Sequence, residues 1–200
     1  VIYREKRKSD VVGYDKRTGE LIMDDQSSRR LLIGILQLAY SGELAASYAY
    51  QGHWKSVGNP EERSRIQTIE EEEWHHRRLV GEMLRELGEH PSSWREFKAV
   101  IIGRTAGFLC HVTGWLAPMY GAGKLESRNV REYELAARHA RDCGRIEFVE
   151  PLLTMAEVEW EHEKYFRTQV LKSALGRRLP MWQAPPPKEN IRVSFSEAGA

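Results

Sequence analysis

An all-α chain, folded as an antiparallel four-helix bundle with a dinuclear metal site in its core, is predicted by three observations. Four long stretches carry apolar residues at three- and four-residue spacing. Short breaks rich in Gly and Pro separate them, and short connections imply antiparallel neighbours. Each apolar ladder is interrupted by a glutamate, and two of them by a histidine as well. With 200 residues the chain suits one domain with a sizeable core.

Residues 1–26 read as a polar N-terminal extension, in which YDKRTGELI looks like a turn between short extended pieces. The bundle occupies 27–176. Its first helix spans about 27–54, with Ser27 or Ser28 as N-cap. GNPEERS breaks the chain, and the second helix runs about 60–88, stopping at Gly88 with Pro91 just beyond. The third runs about 94–143, kinked at Pro118 and closed by Gly144. The fourth runs about 146–175 and ends near Gly176. LPMWQAPPPKEN cannot continue a helix, so 177–200 is a tail, disordered or draped on the bundle. Within it IRVSF alternates and suggests a short strand.

Residues 70–76, EEEEWHH, pose the central question, because a charge run is usually a solvated face. The apolar ladder of the second helix is Ile66, Ile69, Val80, Met83 and Leu87, and continuing it through the gap lands on Glu73 and His76. The register through Glu72 and His75 meets Thr68, Glu82 and Glu86, a polar face. Glu70, Glu71 and Glu72 are therefore expected in solvent, and His75 at the periphery. The fourth helix repeats the pattern: Leu152, Met155 and Phe166 are interrupted at Glu159 and His162. EWHH and EWEH superpose, each with a Trp after the inward Glu. The first helix has Leu32, Leu36, Ala39, Ala46 and Tyr50, interrupted at Glu43. The third has Met119, Ala122, Val130, Tyr133, Ala137 and Ala140, interrupted at Glu126, with Glu132 and Glu134 as weaker candidates beside it.

Each unpaired buried charge costs several kcal/mol, and total stability is only about 5–15 kcal/mol. Six such groups need compensation, and two divalent metals bridged by carboxylates would provide it. Oxygen ligands with imidazole suit iron, with manganese as the alternative. One Glu from each of two helices and Glu-x-x-His from each of the other two is the ligand set of di-iron carboxylate bundles. The expected metal ligands are Glu43, Glu73, His76, Glu126, Glu159 and His162. Tyr133 and Tyr50 lie one ladder step from ligands, placed to hydrogen-bond them or pass protons. His53, His90, His111 and His139 read as surface or helix-end residues, and Cys110 and Cys143 as ordinary thiols.

Composition narrows the function classes. Lys and Arg number 30 against 29 Asp and Glu, which predicts no nucleic-acid footprint. No apolar run is long enough to span a membrane, and the N-terminus lacks the apolar core of a signal peptide. Two cysteines without C-x-x-C fit a reducing compartment and argue against a rubredoxin-type or zinc-ribbon module. The expected location is cytoplasmic.

The chain resembles ferritin-like di-iron proteins, and within them the demethoxyubiquinone hydroxylases, over about residues 30–170. GELAASYAYQG is similar to that family's Gly-Glu-x-x-Ala-x-x-x-Tyr segment, and EWHH followed by HPSSW to its Glu-x-x-His and later turn. GRTAGFLCHVTGWLAPMYGAGKLESRNVREY carries similar glycines, Gly103, Gly107 and Gly114, then Met119 and the Glu126 to Tyr133 spacing; EWEH completes the set. The ligands the resemblance implies are the six named above. Ala39, Tyr40 and Ser41 stand where the family has Asp-His-Ala, and Glu132 where it has His before Tyr. The implied activity is a di-iron monooxygenase that activates dioxygen to hydroxylate a quinone-like or other apolar ring. Rubrerythrin-like peroxide reduction and iron storage without an organic substrate are the alternatives. Expected partners are an external electron donor, a small apolar or quinone-like substrate, further copies of the chain, and a peripheral membrane contact; Phe108, Leu109, Trp115 and Leu116 read as core or as an apolar surface that faces a membrane or binds a quinone.

Overall fold

The computed structural model describes residues 11–15 and 20–197. Strands β1 (Val11–Asp15) and β2 (Glu20–Met23) form an antiparallel pair with an irregular register between Val11 and Gly13. The turn expected between them falls at 16–19, outside the described residues.

Helix α1 (Asp25–Ser56) begins earlier than expected. Its cap is Asp24 rather than Ser27 or Ser28: the Asp24 carboxylate accepts from the Ser27 backbone N–H at 2.8 Å. Ser27 and Ser28 are instead buried in the first turn. Helix α2 (Pro60–Glu86) starts with Pro at its first position and Asn59 as cap. It ends at Gly88, whose φ of 71° suits a residue without Cβ.

The expected third helix is two helices, α3 (Ser93–Cys110) and α4 (Leu116–Asp142). The break is not a kink at Pro118. Pro118 sits in the first turn of α4, where its missing N–H costs nothing. The chain turns at Gly114, φ 75°, and Thr113 donates its hydroxyl back to the Leu109 carbonyl at 2.8 Å. A single 3-10 turn (Ile146–Phe148) leads into α5 (Val149–Lys172).

Contacts fix the directions. Tyr40 meets Arg77 and Trp54 meets Glu70, so α2 runs against α1. Tyr50 meets Glu126 and Tyr133 meets Glu43, so α4 also runs against α1. His76 meets Glu159 and Glu72 meets His162, so α5 runs against α2. The four-helix bundle is therefore α1, α2, α4 and α5, a ferritin-like all-α arrangement. Helix α3 is the long crossover between the parallel helices α2 and α4. It lies along α1 in the same direction: a Cβ on Gly103 would meet Ala45, and one on Gly52 would meet the Gly107 backbone. Only Ala99, Gly103 and Gly107 of α3 are buried. Its far side exposes Trp94, Phe97, Ile101, Phe108 and, just beyond its end, Val112.

The tail is draped rather than free. Trp182 packs over Gly123 and donates its indole N–H to Glu163 at 2.7 Å, and Ser127 donates to the Gln183 carbonyl at 2.6 Å. Glu189–Glu197 form helix α6, not a strand. Alternation would place Ile191, Val193 and Phe195 on one face. The helix instead buries Ile191, packs Phe195 four residues on against the core, and leaves Val193 exposed. Among the described residues no helix is long and apolar enough to cross a membrane.

Candidate metal centre

Two apolar layers sandwich a polar one. Leu36, Val80, Val130 and Met155 belong to one apolar cluster, and Ile66, Ile69, Met119 and Phe166 to the other. Between them lie Glu43 of α1, Glu73 and His76 of α2, Glu126 of α4, and Glu159 and His162 of α5, none more than 3% exposed. The helical ladder that buries Ile69 and Val80 must also bury the two positions between them, and the same holds for each helix.

The six side chains form two groups with atoms within 4.8 Å of one another: Glu43, Glu73, His76 and Glu159, and Glu73, Glu126, Glu159 and His162. Glu73 and Glu159 belong to both. His76 Nδ1 lies 3.0 Å from Glu159 Oε1, and His162 Nδ1 lies 3.3 Å from Glu73 Oε1. Both oxygens of Glu73, Oε2 of Glu43 and Nδ1 of His162 are buried without a hydrogen-bond partner. Orphaned buried oxygens and an orphaned imidazole nitrogen are costly unless a cation takes them. Four hard ligands around each of two points, with two carboxylates common to both, fit a pair of divalent metal ions.

Electrostatics describe the cluster's strain. Burial, then the neighbouring carboxylates, push Glu73 and Glu126 well above the usual carboxylate range; Glu43 is raised by burial and by the charge of Glu159, against the pull of His76 and of the Tyr133 hydroxyl it accepts. Glu159 goes the other way. Burial alone would raise it, but the adjacent His162, His76 and Glu126 prevail and hold it well down, His76 by a hydrogen bond. Burial opposes charging His76 and His162, yet the carboxylates beside them win and raise both, Glu159 at His76 and Glu159 with Glu72 at His162.

The surrounding residues orient the six. Tyr50 donates to Glu126 Oε1 and Tyr133 to Glu43 Oε1. Burial and the facing carboxylates raise both phenols well above their ordinary value, so they remain donors. Each leaves one carboxylate oxygen to other uses: Glu126 Oε2 accepts from Asn129 at 2.9 Å, and Glu43 Oε2 is orphaned. Asn129 also reaches Glu159 Oε2 at 3.3 Å, a role sequence periodicity did not reveal because Asn129 lies beside the ladder.

Glu72 was expected in solvent and is only half so, its side chain 34% exposed. Its Oε2 sits 2.7 Å from His162 Nε2, and this contact outweighs burial and lowers its pKa. An Nε2–H donated to Glu72 leaves the lone pair on Nδ1, the atom facing Glu73 and Glu159. The residue before Glu159 is Val158, which cannot do the same for His76. Glu70 is also half-buried, accepting from Trp54 at 2.6 Å, whereas Glu71 and His75 are exposed as expected. Glu132 and Glu134 lie outside both groups. Glu72→Ala should weaken metal affinity by roughly 10–100-fold without abolishing it. His75→Ala should leave affinity unchanged, and competition titration with a chelator reads both. Equal affinities in the two variants would show that Glu72 has no orienting role.

His53 corrects another expectation: it is 2% exposed, not on the surface. It stacks on Tyr50 and Phe166, and burial drives its pKa down to about 4, so its ring is neutral.

Residues 30–163 match the family described as ubiquinone biosynthesis protein COQ7. A 3-demethoxyubiquinol 3-hydroxylase of Pseudomonas putida (strain W619) is 32% identical over 68 residues, covering 34% of this chain and 32% of that protein. The chain thus aligns with about a third of that relative's length. No solved structure matches. The 30–163 stretch takes in the whole polar layer, from Glu43 to His162, and the chain belongs to the COQ7 family of ubiquinone biosynthesis proteins.

Proposed function

We propose that the chain is a di-iron hydroxylase that uses dioxygen to hydroxylate a quinone-type ring. The observation that carries this is the pair of four-ligand groups sharing Glu73 and Glu159, in which the orphaned atoms are the ones a metal would take. The family match and the name of the Pseudomonas relative support the reaction class and the ring substrate. Glu43, Glu73, His76 and Glu159 hold one metal; Glu73, Glu126, Glu159 and His162 hold the other. Iron is favoured over manganese for redox work with this oxygen-rich donor set. When bound, the iron pair supplies the dioxygen chemistry that side chains lack. The protein's part is to fix geometry: Tyr50, Tyr133, Asn129 and Glu72 hold the ligands in place, and the apolar layers exclude bulk water.

A cavity of about 360 Å³ opens between α1, the end of α3 and the start of α4. Its walls include Ala46, Ala49, Ala106, Leu109 and Ala122, and Tyr50 joins it to Glu126. That is within the size range of sites for small flat ligands. The outer side of α3 exposes Trp94, Phe97, Ile101 and Phe108, an apolar face that supports delivery of a lipophilic ring from a membrane surface. Electrons come from an external donor.

The test is anaerobic ferrous loading followed by one exposure to isotopically labelled dioxygen with a chemical reductant and a demethoxyquinol. About two irons per chain and one labelled oxygen atom in the ring are expected. Retained iron with rapid peroxide consumption and no oxygenated ring would favour the peroxide-reducing alternative. Folded protein that retains no iron would end the oxidoreductase reading.

A further inference from the structure

Four polar side chains line the cavity beside Tyr50, and three of them are already committed. The Tyr50 hydroxyl donates to Glu126. Cys110 Sγ donates to the Ala106 carbonyl at 3.2 Å, and Thr113 Oγ1 to the Leu109 carbonyl at 2.8 Å. His53 is the exception: its Nε2 is buried and has no hydrogen-bond partner. The rest of the lining is Ala, Leu, Pro and Gly, and stacking on Tyr50 and Phe166 holds the imidazole in one plane.

We infer that His53 is the polar recognition residue of this cavity, hydrogen-bonding the ring oxygen of a flat phenolic or quinonoid ligand. The assignment rests on the ring-substrate reading above and specifies how this chain recognises the ring. A neutral imidazole suits both ligand forms, since its Nε2 donates to a quinone carbonyl in one tautomer and accepts from a phenol hydroxyl in the other. The burial that pushes His53 down to about 4 keeps it neutral across the physiological range. A charged side chain would bind water too tightly to yield to an apolar ring, and an alkyl group would not distinguish a ring with oxygen from one without. A site with one unsatisfied polar group rejects an analogue that cannot satisfy it.

The test compares 1-naphthol with naphthalene, rings of like shape that differ by one hydroxyl. Equilibrium dialysis uses the full chain as purified, without oxidant or reductant. The wild type should prefer 1-naphthol by about tenfold, the strength of one buried hydrogen bond. His53→Phe should bind the two alike while keeping naphthalene affinity, and His53→Gln should retain the preference. If His53→Phe does not fold, nitrogen NMR of the wild-type ring decides: the His53 Nε2 resonance should move with 1-naphthol and not with naphthalene. Failure of the wild type to bind either ring, equal binding of both, or a preference that survives in His53→Phe would each overturn the assignment. A preference that depends on His53, in a chain that hydroxylates nothing when loaded with iron, would leave this site standing and remove the hydroxylase reading.

Discussion

Glu73→Ala and Glu159→Ala should each empty both metal positions, whereas Glu43→Ala and Glu126→Ala should each empty one. The asymmetry follows from membership, because Glu73 and Glu159 are common to the two groups while Glu43 and Glu126 belong to one apiece. Elemental analysis after anaerobic loading and desalting should therefore read about two irons per chain in the wild type, about one in the second pair of variants and close to none in the first. Stability separates this from unfolding. Both Glu73 oxygens are buried without a partner, so removing that carboxylate relieves the metal-free protein of a desolvation cost. Metal-free Glu73→Ala should unfold at or above the wild-type midpoint despite the cavity it leaves. A Glu73→Ala protein that still retains two irons would show that the shared-carboxylate geometry is wrong, whatever its activity.

Helical periodicity is the reason so much of the polar layer was legible. A residue's inward direction follows from the apolar residues three and four places away, and Ile66, Ile69, Val80 and Met83 define that direction closely enough to separate Glu73 from Glu72. Periodicity says nothing about what a half-exposed side chain meets on another helix. Glu72 looks like one member of a charge run, yet its partner His162 is 90 residues away. Asn129 and His53 were missed for the same reason, since each gains its meaning from α5 or from the cavity wall. The α3–α4 break turned on Gly114, where a positive φ matters more than the nearby proline. In the tail, IRVSF satisfies both a two-residue and a four-residue period, and only the core that receives Ile191 and Phe195 selects the helix.

Metal-free protein should lose stability as pH rises from about 5 to 8, and metal-loaded protein should not. The sign follows from the directions of the shifts. Glu43, Glu73 and Glu126 titrate above their ordinary value of 4.5 in the folded chain. Their contribution is whole below about pH 4.5 and is lost as pH climbs through the folded values, because the fold must then carry buried carboxylates. His76 and His162, raised above 6.5, add a loss in the same direction at higher pH. Glu159 is depressed, so its contribution is present above 4.5 and disappears only in strong acid, below the window considered. Each proton so linked is worth about 1.4 kcal/mol per pH unit. A divalent metal reverses the slope, since it takes carboxylates and imidazoles in their deprotonated forms and releases those protons on binding. At a free metal concentration a thousandfold above its dissociation constant the gain is about 4 kcal/mol, or roughly 8–16 °C in midpoint for a chain of this size. Thermal unfolding with and without manganese, which stays divalent and soluble across the range, should show the two midpoints diverging with pH. A metal-free midpoint that rises between pH 5 and 8 would mean that the buried carboxylates are compensated by the protein itself, and the polar layer would then be a structural network that has no need of metal.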